Sequence, residues 1–139
     1  MRAFAYRLLG RREYSIAELV RRLEQKWPQA GDIGSLVESL VDENLLSDRR
    51  FAESFVRSRL QRSQGPLKIK AALRAKGVGD GDIAAALTAD DGQWAELAAA
   101  WLQRQHAGAL DYDDRKKYYR RLVSRGFTHE QAMEAINRL

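Results

Sequence analysis

Apolar residues recur every three to four positions along almost the whole chain, which is the period of an amphipathic helix. Leu19 and Leu23, for example, lie four residues apart and are flanked by charged residues. The chain has only two prolines, few β-branched residues and many Ala, Leu, Arg and Glu residues, a composition that favours helix nearly throughout. The pattern therefore predicts an all-α protein.

The helical pattern repeats three times along the chain. Three segments, 17–26, 67–76 and 116–125, superpose at offsets of 50 and then 49 residues. They share two apolar positions, a cation in the last turn and an apolar position in the following helix. The matching residues are Leu19, Ile69 and Tyr118; Leu23, Leu73 and Leu122; Lys26, Lys76 and Arg125; and Val37, Leu87 and Ile136. Self-similarity of this kind is typical of a helical repeat protein.

Each repeat is expected to contain three helices, and units of this kind resemble helix-turn-helix elements. The predicted repeats cover residues 1–46, 47–90 and 91–139. The predicted helices span 2–10, 15–27, 32–44, 48–63, 66–76, 80–88, 92–106, 112–125 and 128–138. Because a three-helix unit of this size has a small core, we expect the repeats to stack into one elongated, solenoid-like body.

Local signals mark several helix ends and core positions. Ser15 with Glu18, and Thr128 with Gln131, have the spacing of capping boxes, and Asp48 is expected to cap the fourth helix. Gly65-Pro66 is a turn, whereas Gly77 and Gly126 are expected to end helices in the left-handed conformation. The residues expected in the core include Phe51, Phe55, Trp94 and Trp101, with Trp27 partly buried.

Composition excludes several classes of protein. The 139 residues correspond to about one domain. The absence of cysteine excludes a disulfide scaffold, a thiol nucleophile, a thiolate zinc site and an iron–sulfur cluster. No apolar run approaches the roughly 20 residues of a membrane helix, and no signal peptide is apparent. We therefore expect a cytoplasmic protein without a membrane association or a cofactor.

The positive charge is concentrated in the middle of the chain. The formal net charge is +5, yet residues 49–77 alone carry 9 basic groups against one acidic group. Glu53 is that single acid, so ion pairs within the segment cannot neutralise it. Such an excess attracts phosphate or an acidic protein surface, although a solvated helix face is the simpler alternative.

The candidate binding residues are the cations of the middle and last repeats. They are Arg50, Arg57, Arg59, Arg62, Lys68, Lys70, Arg74, Lys76, Lys116, Lys117, Arg120, Arg121 and Arg125. In the last repeat, Lys117, Arg121 and Arg125 are spaced four apart, so they are expected to form a line on one helix face. Arginine side chains in such a line can bind phosphate or carboxylate through two parallel hydrogen bonds. A solubilising outer face remains the alternative.

Nothing in the sequence indicates catalysis. Asp111, Asp113 and Asp114 are interpreted as the acidic first turn of a helix, because no closing Glu of a calcium loop follows them. His106 has no evident carboxylate partner, and His129 is expected at the surface. No glycine-rich phosphate-binding loop is present, so we predict neither a catalytic residue nor a metal site.

The middle repeat carries the most specific motif. It reads Asp48-x-x-Phe51-x-x-x-Phe55-x-x-x-Arg59-x5-Gly65-Pro66-x-x-Ile69-x-x-x-Leu73-x-x-Lys76-Gly77-Val78. This string closely resembles the central signature of the RecX family of bacterial recombination regulators. Two further strings resemble the family more loosely, Tyr14-Ser15-x-x-Glu18-Leu19 in the first repeat and Lys116-x9-Gly126-Phe127-x-x-Glu130 in the last.

The resemblance implies a gently curved monomer of tandem three-helix repeats that binds the RecA recombinase and its filament on single-stranded DNA. It implies inhibition of ATP hydrolysis, strand exchange and co-protease activity through occupation of the filament groove, and hence regulation of DNA repair, recombination and the SOS response. Some members bind DNA directly, so single-stranded DNA is an expected partner and double-stranded DNA a further candidate. The residues alone leave a stand-alone DNA- or RNA-binding module as the alternative, followed by an enzyme acting on nucleotides.

Overall fold

The computed structural model describes residues 1–139 as nine α-helices without a β-strand. The helices are α1 (Arg2–Leu9), α2 (Ile16–Lys26), α3 (Ile33–Asp42), α4 (Asp48–Gln61), α5 (Pro66–Ala75), α6 (Asp80–Ala86), α7 (Asp91–Gln105), α8 (Tyr112–Ser124) and α9 (His129–Asn137). The predicted all-α class and all nine predicted helices are confirmed, with every end within about two residues of its predicted position. Leu87, predicted inside the sixth helix, lies immediately after α6.

The residues group into two compact units. Unit 1 comprises Met1–Phe55 and Leu73–Ala86, and unit 2 comprises Val56–Ala72 and Leu87–Leu139. Each unit thus combines segments that are distant in the sequence. The division of the sequence into three repeats at 1–46, 47–90 and 91–139 stays a prediction.

The core of unit 1 is built from the apolar faces of its helices. Its main cluster contains Ala5, Leu8, Tyr14, Leu19, Leu23, Ile33, Leu36, Val37, Leu40 and Leu46, all buried. Phe51 is also buried, as predicted, whereas Phe55 is only partly buried. Phe55 therefore differs from the sequence expectation: its ring lies 5.8 Å from that of Phe51, centroid to centroid, but stays partly accessible to solvent.

The core of unit 2 contains the two predicted tryptophans. Trp94 and Trp101 lie two turns apart on α7 and are buried, as their spacing predicts. They share this core with Leu122 of α8 and Ile136 of α9, since α9 packs against both α7 and α8. The shared apolar positions of the repeats are thus buried, except for Leu87, which is only partly buried.

Most predicted helix starts are confirmed, but the start of α4 is a correction. Ser15 and Thr128 form the predicted capping boxes. At α4 it is the Ser47 hydroxyl that accepts the amide of Arg50, at 3.2 Å. The Asp48 Oδ1 atom instead accepts the backbone amide of Ile16 at the start of α2, at 2.8 Å. Asp48 therefore caps a neighbouring helix rather than its own.

Four helices, α3, α4, α5 and α8, end with the same backbone geometry. Gly77 and Gly126 adopt the predicted left-handed conformation, with φ of +82° and +101°. Asn44 and Ser63 do the same, with φ of 59° and 54°. At each of these positions the following amide bonds a carbonyl of the last helical turn, which closes the helix end.

In unit 2, α5 begins against the end of α8. The Gly65 amide donates to the Arg125 carbonyl at 2.8 Å, and the Leu67 amide donates to the Gly126 carbonyl at 3.0 Å. A Cβ atom on Gly65 would lie 2.3 Å from backbone atoms of Gly126 and Phe127. The sequence explained Gly65 by a turn alone, whereas the structure shows that close backbone approach requires it.

Candidate basic interface

The two compact units differ sharply in charge. Unit 1 contains 11 basic and 11 acidic side chains, whereas unit 2 contains 13 basic and 8 acidic side chains. The whole net charge of +5 therefore belongs to unit 2. Electrostatic attraction of a polyanion is accordingly a property of this unit.

Three candidate cations belong to unit 1, and each has an acidic partner there. Arg50 pairs with Glu13 and also donates to the Asn44 side chain at 3.3 Å. Arg74 pairs with Asp80 at 3.1 Å, and the Lys76 Nζ atom lies 3.0 Å from Glu18 Oε2. These three cations are thus committed to contacts within the protein.

The ion pair of Lys76 is part of a polar cluster at the start of α2. Burial alone would raise the pKa of Glu18, but the Ser15 amide, Lys76 and Arg12 together hold this pKa below its ordinary value. The Ser15 hydroxyl donates to the Lys76 carbonyl at 2.8 Å. Lys76 therefore joins the end of α5 to the start of α2 through its backbone and its side chain.

Arg125 also turns inward, although the sequence places it on the outer basic line. Its Nε atom donates to the Ser63 carbonyl at 3.0 Å, and its guanidinium group also bonds the Arg62 carbonyl. It lies 4.9 Å from the centroid of Trp101. Burial, together with the charge of Arg104, lowers the pKa of Arg125 below its usual value. Arg125 is thus a structural cation that closes the end of α4.

The remaining candidates in the middle segment lie in unit 2. Arg57, Arg62 and Lys68 are exposed and form no ion pair; Lys70 is half-buried and likewise forms none. Arg59 is half-buried, and its carbonyl accepts the amides of Arg62 and Gln64 as α4 ends. This segment carries 5 basic and no acidic side chains between residues 56 and 72.

The candidates of the last repeat project from α8. Lys117, Arg120 and Arg121 are exposed and unpaired, and Lys117 and Arg121 lie 5.2 and 5.5 Å from the ring centroid of Tyr118. Lys116 lies over the ring of Tyr112 at 4.3 Å. Because α5 begins at the end of α8, unit 2 brings the cations of two sequence-distant segments into one compact body.

One contact and one exposed aromatic residue near α8 are not apparent from the sequence. His106 has a carboxylate partner after all, since its Nε2 atom lies 3.6 Å from Asp114 Oδ2. Asp111 and Asp114 form a capping box at the start of α8, in keeping with the predicted acidic first turn. Tyr112, which was not singled out, is 70% exposed. Tyr112 precedes Lys116 by four positions in an otherwise charged stretch. This pattern could have identified it from the sequence as an exposed aromatic residue.

The length and composition of the helices differ from those of membrane-spanning helices. None is long and apolar enough to cross a bilayer.

Comparisons with known proteins agree with one another. A family model described as "RecX, second three-helix domain" matches residues 47–87. The chain is 47% identical to the regulatory protein RecX of Chromohalobacter salexigens, over 95% of this chain and 88% of that protein. It is 38% identical to the regulatory protein RecX of Halorhodospira halophila, over 97% and 85% of the two chains.

Solved structures show the same relationship at the level of the fold. The crystal structure of RecX from Lactobacillus salivarius superposes with a TM-score of 0.84, over 99% of this chain and 93% of that chain, at 24% identity. A second crystal structure of a regulatory protein RecX superposes with a TM-score of 0.77, over 99% and 72% of the two chains, at 27% identity. The resemblance seen in the middle repeat therefore extends over nearly the whole chain.

Proposed function

The chain belongs to the RecX family of regulatory proteins, and from this membership we propose that it regulates the RecA recombinase by binding its filament on single-stranded DNA. It inhibits the ATP hydrolysis, strand exchange and co-protease activity of RecA by occupying the filament groove. It acts as a cytoplasmic monomer without catalytic activity of its own, in keeping with relatives that are named regulatory proteins.

The observation that carries this proposal is the charge of unit 2. Four of its cations on α4, α5 and α8 have no ion-pair partner. Arg57, Lys117 and Arg121 are exposed, and Lys70 is half-buried. Cations that remain unpaired within the protein retain their attraction for phosphate or carboxylate groups of a partner. A nucleoprotein filament offers both kinds of group, which suits this surface.

Charge reversal within unit 2 tests the proposal. One variant carries Arg57→Glu and Lys70→Glu, and a second carries Lys117→Glu and Arg121→Glu. Each is expected to need at least about tenfold more protein for half-inhibition of DNA-dependent ATP hydrolysis by RecA, equivalent to about 1.4 kcal/mol of lost binding free energy. Arg74 and Arg125 stay unchanged, because their contacts within the protein would confuse loss of binding with loss of stability.

Unit 1 provides a matched control. Arg21 and Arg22 lie on α2, are exposed and form no ion pair. The double variant Arg21→Glu and Arg22→Glu has the same change in net charge and is expected to inhibit as well as the unchanged protein. Undiminished inhibition by both unit 2 variants, with intact helical circular dichroism, would refute the proposal, as would an equal loss in the control.

A stand-alone module that binds DNA or RNA is the second candidate, and the unpaired cations favour it equally. A salt titration separates the two. For binding through phosphates alone, the logarithm of the binding constant falls linearly with the logarithm of the salt concentration. The slope is about −0.7 per phosphate contact on single strands and about −0.9 on duplex. Binding to a RecA filament is expected to retain a salt-tolerant part, measured by a pull-down of purified RecA with and without ATP and single-stranded DNA.

A further inference from the structure

An open groove runs between α8 and α9 of unit 2. Its volume is about 220 Å³, and it is lined by Tyr112, Arg115, Lys116, Tyr119, Met133 and Ile136. The four lining residues of α8 recur at intervals of three and four, so they share one face of that helix. The groove therefore combines aromatic and aliphatic walls with two cationic side chains.

Tyr112 lies at one end of α8 and is largely exposed. It is the first residue of α8 and 70% exposed, more than any other large apolar side chain of the protein. The Lys116 ammonium group lies 4.3 Å from its ring centroid, one turn along the helix. An exposed ring costs free energy in water, so a partner that covers it would gain binding energy.

The rest of the groove is held in place by contacts between the two helices. The Tyr119 hydroxyl and the His129 Nδ1 atom lie 2.7 Å apart, and the Arg115 Nη2 atom donates to Asn137 Oδ1 at 2.6 Å. Ile136, with 1% of its surface exposed, forms the floor. The shape of the groove is therefore set before any ligand binds, which limits the entropy cost of binding.

We infer that this groove binds an unpaired nucleobase of single-stranded nucleic acid, stacked on Tyr112, with the adjoining phosphate at Lys116. Bases stack on aromatic rings because every base has a π-face, and a neighbouring cation attracts the backbone. The polar groups of Arg115 and Tyr119 already have partners on α9, so few donors remain to read a base edge. The groove is accordingly expected to bind bases with little sequence preference.

Charge favours a nucleic acid over an apolar peptide as the occupant. The exposed cations Lys117 and Arg120 belong to the same helix as four of the groove residues and form no ion pair. They attract a phosphate backbone that leaves the groove in either direction. This inference concerns free oligonucleotides and does not require RecA, so it stands or fails separately from the regulatory role.

The test measures binding of fluorescein-labelled oligothymidine by anisotropy, with an abasic strand of equal length as the comparison ligand. The unchanged protein is expected to bind oligothymidine more tightly than the abasic strand, which has the same phosphates but no bases. Tyr112→Ala is expected to weaken oligothymidine binding about tenfold, within the range for loss of one stacked base. It leaves binding of the abasic strand unchanged, whereas Tyr112→Phe keeps the affinity for both strands.

Tyr6 supplies a matched control. It is 42% exposed on α1 of unit 1, and Arg2 lies 5.8 Å from its ring centroid. Tyr6→Ala therefore removes an exposed ring beside a cation from the unit with balanced charge, and it is expected to leave both affinities unchanged. Equal affinity of the unchanged protein for the two strands would overturn the inference. So would a Tyr112→Ala variant that binds oligothymidine normally but loses binding to RecA, because the groove would then be a protein-docking site.

Discussion

Asp48 stabilises a helix to which it does not belong. Its carboxylate accepts the Ile16 amide at the start of α2. Burial raises the pKa of Asp48, the hydrogen bond from Ile16 opposes this, and the neighbouring carboxylates of Asp82 and Glu18 raise the pKa further. The negative charge of Asp48 strengthens its hydrogen bond with Ile16, but Asp82 and Glu18 repel that charge.

Substitution at Asp48 separates these two contributions. A carboxyl group whose pKa is raised by folding stabilises the protein below its unfolded pKa, and this contribution is lost as the pH rises through the folded pKa. Asp48→Asn retains an acceptor for Ile16 without the charge. It is therefore expected to be more stable relative to the unchanged protein at pH 7 than at pH 4, as measured by urea unfolding.

Asp48→Ala is the companion variant, since it removes the acceptor as well as the charge. It is expected to be less stable than Asp48→Asn by about 1 kcal/mol at pH 7, the usual value of a helix-capping hydrogen bond. Equal stability of the Asn and Ala variants would show that the bond to Ile16 contributes nothing.

At the scale of elements, the contact of α5 with α8 depends on two glycines. Gly65 lies against the backbone of Gly126, and Gly126 in turn lies against Lys68, whose Cβ atom would be 2.4 Å from an added Cβ. The backbone amides of Gly65 and Leu67 donate to carbonyl groups at the end of α8. This contact joins the basic segment of α5 to the basic helix α8.

A methyl group at Gly65 is expected to separate the two elements. The atoms that this methyl group would meet belong to the backbone and cannot rotate away. Gly65→Ala is therefore expected to lower the free energy of unfolding by about 1–3 kcal/mol or more. Gly81 of α6 has open space around it, so Gly81→Ala is expected to stabilise the protein by about 0.5–1 kcal/mol. A Gly65→Ala variant that unfolds at the urea concentration of the unchanged protein would contradict the close approach.

At the scale of the whole molecule, the uneven charge of the two units predicts a response to salt. Unpaired cations of unit 2 repel one another over about 30 Å in 0.01 M salt but only about 8 Å in 0.15 M salt. Removing two of them, with Lys117→Gln and Arg121→Gln, is therefore expected to raise the melting temperature in low salt and to reduce its increase with added salt. The measurement is thermal unfolding by circular dichroism over a salt series.

The pair Arg21→Gln and Arg22→Gln in unit 1 is the control, because unit 1 has balanced charge. In low salt, it is expected to change the melting temperature less than the Lys117→Gln and Arg121→Gln variant does. If the unit 2 variant lowers the melting temperature in low salt, its cations are stabilised by partners within the fold, and the surface is not available for an external anion.

The helices, most of their ends and the family can be predicted from the sequence alone. Helix periodicity, the capping boxes at Ser15 and Thr128 and the left-handed glycines at 77 and 126 depend on residues within about one turn of each other. Their information is local, so it can be read without the fold. The middle-repeat signature is likewise contained in one continuous stretch, Asp48 to Val78.

Which candidate cations are available to a partner depends on the folded arrangement of distant segments. Arg125 bonds carbonyls about 60 residues away, Lys76 pairs with Glu18, and Asp48 caps α2 rather than α4. Each of these outcomes depends on which distant segments meet, because an acidic or carbonyl partner neutralises a cation only within a few ångströms. Charge is therefore visible in the sequence, whereas its availability is a property of the fold.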